Sequence, residues 1–103
     1  MSAEPRCFPA VIREMRQTDL ATVAGIERSA YEFPWSSGIF RDCLLAGYTS
    51  LVLEQGTAVI GYGIMSVAAG EAHLLNLALA PSARGQGHGW QLLQHILDLA
   101  QGA

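Results

Sequence analysis

The stretch Leu77–Trp90 constrains this chain more than any other. Leu77-Ala78-Leu79 ends an apolar run, and a short loop with Pro81 follows. Arg84-Gly85-Gln86-Gly87-His88-Gly89 then opens a segment where Gly89, Leu92, Leu93, Ile96, Leu97 and Ala100 recur at helical spacing. A strand therefore runs into a glycine-rich turn, and the turn into an amphipathic helix. The first amides of a helix have no intrahelical acceptor. The helix dipole adds partial positive charge there. Glycines let a ligand approach without a Cβ in the way. Such a turn is an anion site suited to a diphosphate, although glycine turns also occur as plain loops before core helices.

The rest of the chain supplies a frame for that turn. Ala10–Met15 reads as a short strand around Val11 and Ile12. Thr18 offers a helix N-cap, with Asp19 in the first turn. Leu20, Val23, Ala24, Glu27 and Ala30 follow at helical spacing and place a helix at 19–31. Pro34 interrupts it. Ser36 or Ser37 caps a second helix carrying Ile39, Phe40, Cys43 and Leu44, which stops at Gly47. The period then changes. Strands are expected at 48–54, 58–67 and 71–79, joined by tight turns at Gln55-Gly56 and Ala69-Gly70. Hairpins make them antiparallel neighbours. The last strand reads as apolar on both faces, with Ala72, Leu74 and Ala78 on one and Leu75, Leu77 and Leu79 on the other. It is expected to be a central strand covered on both sides. The order strand, two helices, three strands, helix gives an α+β domain over 10–103, with 1–9 as a loose tail.

Composition excludes several classes. A chain of 103 residues, half of them hydrophobic, supports one core and no disordered state. Nine acidic against six basic residues argue against a basic nucleic-acid face. All six basic residues are arginine. Without lysine there is no Schiff-base chemistry and no phosphate-loop lysine. Cys7 and Cys43 lack metal or redox spacing and read as free thiols of a reducing compartment. No pair of histidines has metal-ligand spacing, so no metal is expected. Residues 1–10 have no apolar core of a signal peptide, and the uncharged run Gln55–Gly70 is shorter than the ~20 residues of a membrane span. A cytoplasmic address follows by default.

The glycine turn does not fit the dinucleotide pattern, which needs GxGxxG and a later acidic residue. Arg84, Gly87 and Gly89 instead fit Arg/Gln-x-x-Gly-x-Gly/Ala, the acyl-CoA loop of the GNAT N-acetyltransferase superfamily, position by position. Tyr31-Glu32-Phe33-Pro34-Trp35-Ser36 resembles a segment of the ribosomal-protein-alanine N-acetyltransferases. Asn76-Leu77-Ala78-Leu79 resembles their strand end. The likeness spans about residues 10–100, and the chain is similar to the N-terminal two-thirds of such an enzyme.

The resemblance implies acetyl-CoA as cosubstrate and a protein N-terminal amine, such as a ribosomal-protein alanine, as acceptor. It implies a bulged fourth strand whose Leu77, Ala78 and Leu79 hold pantetheine. It implies that Arg84, Gly85, Gln86, Gly87, His88, Gly89 and Trp90 hold the pyrophosphate, and that Phe33, Pro34 and Trp35 line the acceptor groove. As plain structure, Phe33–Trp35 are a helix-breaking aromatic corner, His88 is an exposed loop residue, and Trp90 merely packs. The family's catalytic Glu and Tyr fall after the point matched by Ala103. Glu71, beside His73 on one strand face, is the alternative base within the chain, or else a solvated turn residue. A non-catalytic CoA-binding or interaction module is the competing function. The open apolar edge of 71–79 is expected either to pair with a second copy or to leave the chain poorly soluble.

Overall fold

The computed structural model describes residues 8–102, and residues 1–7, with Cys7 and most of the expected tail, lie outside them. Four strands form one antiparallel sheet in chain order: β1 (Ala10–Glu14), β2 (Thr49–Gln55), β3 (Ala58–Ala68) and β4 (Glu71–Leu79). Helices α1 (Leu20–Ala30) and α2 (Ser37–Leu45) cover one face, and α3 (His88–Gln101) covers the other. The α+β architecture expected from the sequence is present.

The local signals act as their chemistry dictates, with one exception at the start of α1. Ser36 Oγ accepts the Ile39 amide at 3.3 Å and caps α2. Ala69 and Gly70 both take positive φ, as a two-residue hairpin turn demands. Thr18, the expected cap of α1, instead sits inside a 3-10 turn, Gln17–Asp19. Asp19 reaches back to the Arg16 amide at 2.8 Å and takes the capping role one turn earlier. Its carboxylate also receives both Arg13 guanidinium nitrogens, at 2.8 and 2.9 Å.

The Arg13 guanidinium holds the Asp19 carboxyl below the usual carboxylate range, against the opposing pull of burial. A depressed folded-state pKa contributes stability that is complete above the unfolded value, near ~3.9, and lost as pH falls through the folded one. Asp19→Asn is therefore expected to cost about 2 kcal/mol at pH 7 and to flatten the stability profile below pH ~4. Urea unfolding from pH 2 to 7 measures it. A variant that keeps the wild-type acid slope would contradict the assignment.

Gly63 of β3 lets α3 sit close to the sheet, and Gly61 makes room for the Leu79 side chain of the neighbouring strand. A Cβ at Gly63 would lie 2.4 Å from Ile96 Cδ1, and one at Gly61 2.7 Å from Leu79 Cδ2. Leu92 and Ile96 fill the space with Leu51 and Met65. The buried stripe of α3 is narrower than its spacing suggests, because Leu97 is exposed. On the opposite face Phe40 packs edge-on against Tyr62 and tilted against Trp35, above Val23, Ile26 and Val52. Cys43 is a free thiol in that core, and burial pushes its pKa up.

The fourth strand departs from the sequence reading. It has the open edge expected of it among the described residues, but it is not covered on both faces as a central strand would be, because Glu71–Leu75 are exposed. The face assignment also changes. Asn76 lies opposite Ile64 but Leu74 opposite Met65, so Leu75 is an extra, bulged residue. The bulge shifts the alternation by one. Ala72 and Leu74 therefore share the α3 face with Leu77 and Leu79, while Ala78 shares the other face with Asn76.

Candidate functional site

The bulge at Leu75 and the end of α1 enclose a cleft of about 570 Å³. One wall is Tyr31, Glu32, Phe33 and Trp35, and the other is Leu74–Leu77. Phe33 is 86% exposed, so its ring is free to meet a ligand. Pro34 is exposed, whereas Trp35 is half-buried and anchors the corner on Phe40. A second cleft shares Tyr31 and Leu77 with the first and reaches Leu79 and Arg84. The two clefts together follow the outer edge of β4 toward the glycine turn.

That edge has its own occupants. The Tyr31 hydroxyl donates to the Leu77 carbonyl at 2.6 Å, and Arg84 Nε donates to the Leu79 carbonyl at 3.2 Å. The Ala80 amide donates to the Ile60 carbonyl, so by the alternation of an antiparallel pair Ala78 bonds toward β3 and the Leu77 and Leu79 carbonyls point away from it. Ala78, between them, faces the α1 core and is buried.

At the end of the edge, Arg84, Gly85, Gln86 and Gly87 form the turn. Gly85 and Gly87 have φ +77° and +84°, and a Cβ on either would meet nothing within 4 Å. The turn is open to solvent and not plugged by side chains. Gln86 Nε2 braces it on the Ser82 carbonyl at 3.0 Å. Gly87 is the left-handed N-cap of α3 with no side-chain cap, and the first amides of α3, from His88, Gly89 and Trp90, have no intrahelical acceptor. Gly89 packs close to Leu79, at 3.5 Å from its Cδ1 for a Cβ placed there. His88 is half-buried, and Trp90 stands 67% exposed beside the turn without packing into the core. The residues fit a diphosphate by backbone amides and a positive helix end, while the Arg84 guanidinium lies on the Leu79 carbonyl and near Ser29 Oγ.

Below the cleft lies a residue that the sequence reading left as one position in a helical stripe. Glu27 is 2% exposed. Its Oε1 accepts from the Tyr62 hydroxyl and from Asn76 Nδ2, the latter at 2.7 Å, and its Oε2 accepts the Trp35 amide at 2.9 Å. Three donors from three segments offset the cost of burying a carboxylate. Burial and the Glu27 carboxylate push the Tyr62 hydroxyl well above the usual phenol range, so it remains a donor. The available signal was a lone acid between Val23, Ala24 and Ala30 on the buried face of α1.

The structure does not bring Glu71 to the cleft. It pairs with His73 at 3.3 Å at the exposed start of β4, roughly 20 Å along the strand from Leu77. Among the described residues no group of three His, Cys, Asp or Glu could hold a metal, and no helix is long and apolar enough to cross a membrane.

Comparison with known proteins follows the same geometry. A family model described as acetyltransferase (GNAT) family matches residues 12–103. A curated relative, the [ribosomal protein bS18]-alanine N-acetyltransferase of Escherichia coli strain K12, is 34% identical over 87 residues, covering 84% of this chain and 59% of its own length. The crystal structure of the ribosomal-protein-S18-alanine N-acetyltransferase from Escherichia coli superposes with a TM-score of 0.84 at 32% identity, covering 91% of this chain and 61% of that one. A GNAT family acetyltransferase from Brucella melitensis, solved in complex with acetyl-CoA, superposes at 0.73 with 25% identity, covering 91% and 70%. The chain thus spans about 60% of the length of the curated relatives it matches.

Proposed function

The chain belongs to the acetyltransferase (GNAT) family, and on that footing we propose that it binds acetyl-CoA and serves acetyl transfer to the N-terminal amine of a protein. The observation that carries the reading is the open, left-handed Gly85–Gly87 turn at the head of α3, set at the end of the free edge of β4. Turn amides and Arg84 take the pyrophosphate. The outward groups of Leu77 and Leu79 take the pantetheine amides as a neighbouring strand would, displacing the Tyr31 hydroxyl and Arg84 Nε from the two carbonyls. The cleft under Phe33 and Trp35 takes the acceptor. The named relatives support a ribosomal-protein alanine as that acceptor.

The chemistry sets further demands. Transfer forms an amide C–N bond and breaks a thioester C–S bond. An α-amine with pKa near ~7.7–8.0 is largely protonated at neutral pH, so a base must take its proton. An acid must return one to the thiolate. The resemblance places both groups in the part of the relatives' length that this chain does not match, and Glu71 lies at the exposed start of β4, paired with His73. Pairing of two copies along β4 would draw on the same outward carbonyls as acetyl-CoA, so ligand and second copy compete. The compartment implied is the cytoplasm, where thiols stay reduced and ribosomal proteins are made.

Isothermal titration of this chain with acetyl-CoA tests the reading. Binding of one equivalent with a dissociation constant in the micromolar range is expected. Absence of binding at millimolar ligand would overturn it.

A further inference from the structure

We propose that Glu27 is a positioning residue for the acceptor side of the cleft. The inference rests on the reading above for what the cleft holds. The carboxylate hydrogen-bonds to three segments at once, the Trp35 corner, β3 and the bulged part of β4. Trp35 belongs to the corner that forms one wall, and its amide donates to Oε2. Asn76 is the residue next to the Leu75 bulge in the other wall, and its amide donates to Oε1. The Tyr62 hydroxyl comes from the sheet floor and shares Oε1. Glu27 therefore sets the distance between the corner and the bulge. Nothing comparable links it to the glycine turn, which is braced by Gln86 on Ser82 and by Arg84 on Leu79.

A positioning role separates two substitutions. In Glu27→Gln the amide keeps the shape. Its oxygen accepts the Trp35 amide, and its nitrogen donates to the Tyr62 hydroxyl and to a turned Asn76 side chain. In Glu27→Leu every donor loses its acceptor. The role also separates two ligands, because Leu79 and the glycine turn, which hold acetyl-CoA on the reading above, make no hydrogen bond to Glu27.

The experiment measures two affinities on each variant. Acetyl-CoA is titrated calorimetrically. An N-terminal-alanine peptide of ribosomal protein bS18 is titrated in the presence of saturating CoA. Glu27→Leu is expected to weaken the peptide about tenfold while leaving acetyl-CoA within about twofold, and Glu27→Gln to restore peptide binding to within about threefold of wild type. Tyr62→Phe and Asn76→Ala each remove one donor, and they give the same peptide-selective loss at a smaller size should the leucine variant not fold. Equal losses in Glu27→Gln and Glu27→Leu would overturn the proposal, because the negative charge and not the geometry would then matter. So would unchanged peptide binding in all four variants, a parallel loss of both ligands, or a wild-type chain that binds acetyl-CoA but no peptide. A wild-type chain that binds no acetyl-CoA instead removes the functional reading itself.

Discussion

Gly87→Glu is expected to abolish measurable acetyl-CoA binding, weakening it about 100-fold or more. Two independent costs act at this residue. Its φ of +84° is a conformation that costs a residue with a Cβ about 1–2 kcal/mol. The new carboxylate also sits beside the amides that would face a diphosphate. Repulsion between like charges a few ångströms apart near a protein surface adds a comparable amount. Space is not the issue, since nothing lies within 4 Å of the added Cβ. Gly47→Glu is the matched control. Gly47 has φ +77°, equally open surroundings, and a place after α2, away from the turn. It carries the same backbone strain and the same charge. Calorimetric titration of both variants separates the effects. Binding by Gly87→Glu at wild-type strength, or an equal loss in Gly47→Glu, would contradict the role given to the turn.

The second large effect concerns stability. Glu27→Leu is expected to destabilise the fold by about 3 kcal/mol, because it strands the Tyr62 hydroxyl, the Asn76 amide and the Trp35 amide at or near the core. For a domain of this size that lowers the melting temperature by about 15 °C. Leucine fills much of the volume, so the loss reports unsatisfied donors more than a cavity. Glu27→Gln, which can satisfy the same partners, is expected to lose under about 1 kcal/mol. Urea denaturation of the pair measures the difference. A leucine variant as stable as wild type would mean that the buried carboxylate stabilises nothing.

That residue also marks how far the sequence could be read. The hairpins were legible because Gly56 and Ala69-Gly70 are local turn chemistry, although the first turn falls on Gly56-Thr57, one residue later than expected, since Gln55 pairs with Ala58. The cap at Ser36 and the entry to α3 were legible for the same reason. Thr18 was misjudged because Asp19 reached the Arg16 amide first, a choice among three neighbours that spacing alone does not decide. Glu27 was legible only as a helical position. Its partners lie on β3 and β4 and become neighbours only when the sheet assembles. The bulge in β4 was expected only through the family resemblance, since no glycine or proline at Leu75 announces it. It exists because β3 presents Ile64 and Met65 to Asn76 and Leu74, a register set across two strands. The faces inferred for β4 failed at that point, and its edge position follows from the sheet order. The turn at Gly85–Gly87 was legible as a glycine-rich entry to a helix, because its glycines take positive φ locally, whereas its braces on Ser82 and Leu79 were not.

Backbone amide chemical shifts recorded while acetyl-CoA is added test the account most directly. The amides of Gly85, Gly87, His88, Gly89 and Trp90 are expected to move most, followed by those of Leu77 and Leu79, with the α2 amides unmoved. Saturation without movement in the turn, or with the largest shifts elsewhere, would contradict it.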